Sequence, residues 1–162
     1  MSLVIRLARP GDEPEILRLI RALATFEREP DAVVATEAML SQALFGDGAH
    51  VHAHLAERDG RTVAMALWFL NFSTWTGRPG LYLEDLYVDE AERRSGVAQG
   101  LMAVLAQEAV ARGCARMDWA VLDWNQDAMR FYERLGARRS AGWQPWRLEG
   151  EALKRLADAQ VG

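Results

Sequence analysis

The chain has 162 residues, half of them apolar and 26% charged, which suits one globular domain over 1–162 with a core that needs no staples. A single cysteine, Cys114, excludes a disulfide framework and fits a reducing compartment. With 19 basic against 23 acidic residues the net charge is −4, which argues against a nucleic-acid surface.

The elements follow in chain order. Val4–Ala8 reads as a short strand, broken by Pro10-Gly11-Asp12. A helix opens there, with Ile16, Leu17, Leu19, Ile20, Leu23 and Ala24 as its apolar stripe. Thr36-Glu37 starts a second short helix carrying Met39, Leu40, Ala43 and Leu44. His50–Glu57 alternates like a strand, Asp59-Gly60 signals a hairpin, and Thr62–Asn71 is the return strand. The stretch 76–80 reads as a loop and Leu81–Val88 as an apolar, aromatic strand. Val97–Arg112 has helical periodicity and Gly113 ends it. A strand over Met117–Leu122, a helix capped by Asn125, a strand near Trp146–Glu149 and a helix from Glu151 to Ala159 complete the chain. The order predicts an α/β fold with a mixed sheet. No apolar run approaches the roughly 20 residues of a membrane span, and the first residues contain no cleavable apolar core, so the expectation is a cytoplasmic protein with no membrane partner.

The most informative stretch runs from Leu83 to Gly100. An apolar strand ends, a polar loop follows, and a helix opens at the turn Arg93-Arg94-Ser95-Gly96-Val97-Ala98-Gln99. Small residues at Gly96 and Ala98 let successive backbone N–H groups converge on one anion, helped by the helix dipole and the two arginines. The Walker pattern and the Rossmann fingerprint are both absent. Taken alone, the turn reads equally well as a helix start packed with small residues.

Arg93-Arg94-Ser95-Gly96-Val97-Ala98 resembles the R/Q-x-x-G-x-G/A motif of GNAT superfamily acetyltransferases. Trp124-Asn125-Gln126-Asp127-Ala128-Met129-Arg130-Phe131-Tyr132 is similar to a second segment of that family, and Leu81–Val88 with Trp146-Arg147-Leu148 to a third. The combination resembles most the spermidine/spermine (diamine) N-acetyltransferase group, over about residues 3 to 156. The resemblance implies a mixed, mostly antiparallel central sheet flanked by helices on both faces, acetyl-CoA as co-substrate and a homodimer. It also implies direct transfer of acetyl to a primary amine of a small molecule, a diamine, polyamine or amino-acid-like amine. A protein N-acetyltransferase and a non-catalytic acyl-CoA-binding regulatory domain are the alternatives, since fold does not fix function.

The resemblance implies roles residue by residue. Residues 93–99 would hold the pyrophosphate. Leu86, Tyr87 and Val88 would offer backbone groups to the pantetheine, and Asn125, Gln126, Asp127 and Ala128 would contact the CoA arm. Tyr132 would be the general acid and Glu84 the acceptor of the amine proton. Without the resemblance Tyr132 is a core aromatic and Asn125 a helix cap. Glu84 and Asp85 are flagged independently, because carboxylates inside an apolar strand are costly unless paired or solvated; in a regular strand they would face opposite sides. Glu27 at the end of the first helix matches another substrate-side position, or is a solvated helix-end charge. Trp75 and Trp143 offer apolar or cation–π surface to an acceptor. Cys114 reads as a small packing residue. His50, His52 and His54 share one strand face but spread over roughly 13 Å, too far for one metal ion, so no metal is expected.

Overall fold

A computed structural model describes residues 2–160. Its five-stranded sheet is organised by the middle strand β3 (Arg61–Ser73), whose run from Thr62 to Leu67 and Trp68 is buried on both faces. β2 (Val51–Arg58) pairs antiparallel on one side of β3, through a hairpin in which Asp59 (φ 52°) and Gly60 (φ 80°) both adopt the left-handed conformation. That matches the right-handed twist of the strands it joins. β4 (Arg78–Val88) pairs antiparallel on the other side. β1 (Leu3–Leu7) pairs antiparallel with β2, and β5 (Met117–Asp118) pairs parallel with β4. The sheet is therefore mixed and mostly antiparallel.

Helices cover both faces. α1 (Glu13–Phe26) and α2 (Glu37–Phe45) pack Ile16, Leu17, Leu19 and Leu40 onto Ala53, Leu55 and Met65. On the opposite face lies α3 (Val97–Ala111), so close to β1 that a Cβ on Gly100 would stand 3.0 Å from Ile5. Two ion networks fasten α1. Arg6 grips Asp12 with both terminal nitrogens (2.8 and 3.0 Å) and Glu57 at 2.6 Å, which holds the Asp12 carboxyl below its ordinary range. Arg18 reaches the Thr62 carbonyl (2.9 Å) and Asp89 (3.1 Å), tying α1 to both strands at one end of the β3–β4 pair, where the start of β3 meets the end of β4.

Three expectations are corrected. The 76–80 loop is shorter, because the β3–β4 ladder continues to Ser73 and Arg78; Gly80 sits inside β4 opposite Asn71, whose side chain would lie 2.5 Å from any Cβ there. The strand expected over Met117–Leu122 stops at Asp118. The strand expected near Trp146–Glu149 does not form: the segment is extended and exposed, with Trp146 92% accessible, and has no ladder partner among the described residues. A strand needs that partner for its backbone groups.

The residues divide after Leu122 into two compact units. The second holds α4 (Gln126–Arg134) and α5 (Gly150–Asp158), the latter carrying Lys154 paired with Glu151 at 3.3 Å.

Two of the three histidines, His52 and His54, serve the first unit's packing, and His50 is exposed. His54 is buried, and its Nδ1 accepts the Trp68 indole N–H at 3.0 Å; its Nε2 lies 3.9 Å from Glu108, which pairs with Arg112. His52 stacks on Trp68 at 4.4 Å, and the Arg112 guanidinium lies 5.1 Å from the same ring. Burial holds His54 below its ordinary pKa of 6.5, with His52 and Arg112 adding to the effect and Glu108 opposing it. The folded state thus keeps His54 neutral while the unfolded chain protonates it near pH 6.5. Its contribution to stability is complete above that pH and is lost on acidification. Thermal unfolding followed from pH 7.5 to 5 is expected to show stability falling below about pH 6.5, with much of that slope absent in His54→Gln. An unchanged slope in the variant would assign it to other groups.

Candidate active site

The β3–β4 pairing slips once. Leu67 pairs with Asp85 and Trp68 with Leu83, leaving Glu84 as an extra residue with no partner. This β-bulge corrects the expected alternation of Glu84 and Asp85, because the regular period breaks between them. Glu84 is exposed, whereas Asp85, opposite the buried Leu67, is half-buried. Burial pushes the Asp85 carboxyl up to about 6, and the charges of Glu84 and Glu27 add to the effect. Glu27, the residue that caps the C-terminus of α1, is half-buried and is itself raised by desolvation. The first unit therefore gathers Glu27, Glu84 and Asp85 close enough for their charges to act on one another. Such a group favours a bound cation, and a carboxyl titrating near 6 is poised to accept a proton at neutral pH.

β5 pairs with β4 only at Leu81 and Tyr82, two residues before Glu84. Beyond Tyr82, no strand among the described residues covers that edge of β4, which runs through Leu86, Tyr87 and Val88. Apart from the Val88 carbonyl, which accepts from Arg93, its backbone N–H and C=O groups can bind an extended ligand as an added strand would.

Past Val88 the chain makes a 3₁₀ turn (Glu90–Glu92) and then the arginine-glycine turn. The Ser95 hydroxyl donates to the Glu92 carbonyl. Arg94 (φ 62°) and Gly96 (φ 85°) both take the left-handed conformation just before α3. No side chain caps α3, and its first turn carries no acid. A Cβ on Gly96 would meet nothing within 4 Å, so its surroundings are open. Uncapped amides, a strongly bent backbone and no competing carboxylate fit a phosphate group. Arg93 is engaged differently. Its guanidinium lies 4.9 Å from the Phe26 ring centroid and 5.6 Å from that of Tyr87, and its Nε–H donates to the Val88 carbonyl at 3.3 Å.

The second unit holds the remaining polar residues. Asn125 caps α4, its side-chain oxygen accepting from the Ala128 N–H at 3.2 Å, with Gln126, Asp127 and Ala128 forming the first turn. Tyr132 is half-buried beside Phe131, ring centroids 5.2 Å apart, and burial pushes its phenol up to about 12. It stays protonated throughout the neutral range. Trp143 is 73% exposed in the same unit. Trp75 lies in the β3–β4 turn of the first unit, and the strand from Arg78 to Glu84 spans roughly 20 Å. That distance separates Trp75 from the carboxylates within one chain. Cys114 is partly buried and burial raises its thiol, which suits a packing residue. No group of three or more metal-binding side chains is placed to hold an ion among the described residues.

The profile of the Acetyltransferase (GNAT) family matches residues 15–137, a span that runs through both units. The chain belongs to the GNAT acetyltransferase family. It is 38% identical to thialysine N-epsilon-acetyltransferase of Sus scrofa, covering 96% of this chain and 98% of that protein. It is 29% identical to L-ornithine N5-acetyltransferase NATA1 of Arabidopsis thaliana, covering 94% and 86%. Among solved structures, an integron cassette protein from the mobile metagenome of V. cholerae superposes with a TM-score of 0.82 at 25% identity, over 98% of this chain and 99% of that one.

A family acetyltransferase draws its acetyl group from acetyl-CoA, and the open turn before α3 fits the diphosphate of that molecule. A ligand that binds only the folded state stabilises it by about 2.7 kcal/mol at a hundredfold excess over Kd. Excess acetyl-CoA is expected to raise the wild-type Tm. Gly96→Val, which forces a β-branched residue into a left-handed backbone, is expected to abolish that rise. No rise in the wild type would remove the turn from the cofactor site.

Proposed function

We propose that the chain is an acetyl-CoA-dependent N-acetyltransferase for a primary amine at one end of a small amino-acid-like molecule or short diamine. The observation that carries this reading is the carboxylate group around the β4 bulge, Glu27, Glu84 and Asp85, beside an open strand edge. The relatives' substrates, thialysine and ornithine, are amino acids with a terminal amine, which supports it.

In this reading Glu27, Glu84 and Asp85 hold the ammonium end of the acceptor, and its first proton passes through water to bulk solvent before attack. Its nitrogen attacks the thioester carbonyl carbon directly, with no acyl-enzyme. The N–C bond forms and the carbonyl π electrons move to oxygen, where backbone N–H groups along Leu86–Val88 stabilise the charge. Collapse of the intermediate breaks the C–S bond. The nitrogen's remaining surplus proton passes to Glu84, directly or through water, or to its neighbour Asp85. Tyr132 protonates the leaving thiolate, and its high pKa keeps the required proton in place. Residues 94–99 hold the pyrophosphate, while Asn125 to Ala128 contact the CoA arm. Tyr132→Phe is expected to lower kcat by about 10²–10⁴-fold, the usual contribution of a general acid, with acetyl-CoA affinity retained. Near-normal turnover would demote Tyr132 to packing.

The chain acts as one acetyltransferase domain, in the cytoplasm and as a homodimer. The single cysteine and the absence of any helix long and apolar enough to cross a membrane, among the described residues, support the compartment. Exposed Trp146, Leu148, Leu153 and Leu156 in the second unit support the dimer, since such side chains are characteristic of subunit contacts.

The stretches 71–75 and 140–145 contain no carboxylate. A polyamine carries several charges along its length, each needing a partner once its water is lost. Three carboxylates serve one amine end but not a tetra-amine. Assays across an acceptor panel are expected to give higher kcat/KM for thialysine, lysine, ornithine or a short diamine than for spermine. A kcat/KM for spermine above every small amine tested would overturn the assignment.

A further inference from the structure

Arg93 opens the phosphate turn, yet its side chain is engaged on the acceptor side of the first unit. The guanidinium lies over Phe26, the last residue of α1, and over Tyr87 of β4. Its Nε–H is given to the Val88 carbonyl, at the end of the strand that carries the bulge. Phe26 immediately precedes Glu27, whose charge acts on Asp85. The two groups that must meet in the reaction, the donor's phosphate turn and the carboxylates that hold the amine, are thus linked through one side chain.

We propose that Arg93 is a positioning residue rather than a phosphate ligand: it clips the entry of the Gly96 turn to the end of α1, so that the acetyl-CoA turn and Glu27 are held in one register. This rests on the acetyltransferase reading above. Arginine suits the task because its planar guanidinium stacks on an aromatic face while its Nε–H stays available to a carbonyl. A lysine has no equivalent of that second bond. Two left-handed residues, Arg94 and Gly96, follow at once. A turn bent so sharply holds its amides in place only if the chain entering it is anchored, and Arg93 supplies the anchor.

The two roles make opposite demands on Phe26. A phosphate ligand would be indifferent to that ring, which belongs to another element. A clip depends on it. The test is a double-mutant cycle on Phe26→Leu and Arg93→Gln. Acetyl-CoA Kd is measured by titration, and acceptor KM and kcat at saturating acetyl-CoA. Phe26→Leu alone is expected to weaken acetyl-CoA binding by about two- to fivefold, the scale of one exposed cation–π contact, and to raise acceptor KM. Arg93→Gln is expected to do at least as much. The double variant is expected to lose less than the sum of the two single losses, because either substitution alone already removes the contact between guanidinium and ring. Phe26→Tyr, which keeps the ring, is expected to restore wild-type values, and this guards against a packing defect in the leucine variant.

Acetyl-CoA affinity unchanged in Phe26→Leu, or fully additive losses in the double variant, would overturn the proposal and leave Arg93 as a phosphate contact. Arg93→Lys separates the two further: a phosphate contact survives as a point charge, whereas the clip loses its bond to Val88. Failure of the wild type to bind acetyl-CoA at all would instead sink the acetyltransferase reading itself.

Discussion

One extra residue in one strand decides most of what this sheet can do. A five-stranded ladder would ordinarily pair every backbone group of β4, and a ligand would find no edge to bind. The bulge at Glu84 breaks that regularity opposite Leu67 and Trp68, at the end of the buried run of β3. Since β3 is packed on both faces and cannot shift, the surplus length is absorbed by β4 alone. The added twist of a bulge re-aims the strand beyond it. Pairing with β5 ends at Tyr82, the edge beyond opens, and two adjacent carboxylates receive different surroundings. The open edge and the raised carboxyl thus lie side by side on one strand.

The rest of the first unit stiffens that arrangement. Arg18 ties α1 to the Thr62 carbonyl and to Asp89, one residue past β4, so both strands of the β3–β4 pair are fixed to one helix at the end where β3 begins and β4 stops. Arg6 does the same for the start of α1 through Asp12 and Glu57. On the opposite face His54, Trp68, Glu108 and Arg112 join the sheet to α3, the helix that the arginine-glycine turn opens. Each network is polar and at least partly buried. Such contacts fix a position more than they add stability, since the cost of removing charge from water offsets much of the attraction.

Much of this was legible in the sequence. Periodicity located α1, α2 and α3. The Asp59-Gly60 pair announced its hairpin, and Thr36 and Asn125 announced the caps that they make. The arginine-glycine turn was visible only with the strand before it and the family resemblance around it, since small residues at a helix start serve packing equally well. Glu84-Asp85 drew notice because carboxylates are expensive in an apolar strand. What stayed hidden is long-range. A bulge belongs to a pair of strands, and nothing in Leu83–Asp85 alone says which residue lacks a partner. The short β5 and the missing strand near Trp146 have the same origin: local β propensity cannot reveal whether a partner edge exists. Phe26 drew no notice, since the arginine whose guanidinium lies over its ring is 67 positions away.

The basic residues have one more consequence. A protein that keeps an activated acetyl group beside an amine pocket exposes its own ammonium groups to the same chemistry, and acetylation of a lysine erases its charge. Here 18 of the 19 basic residues are arginine, and the one lysine, Lys154, sits on α5. The guanidinium groups of Arg6, Arg18 and Arg112, which fasten the helices to the sheet, remain protonated and are poor nucleophiles. The ionic framework is therefore chemically inert to the acetyl donor it helps to hold, and accidental self-modification would cost it a single surface ion pair.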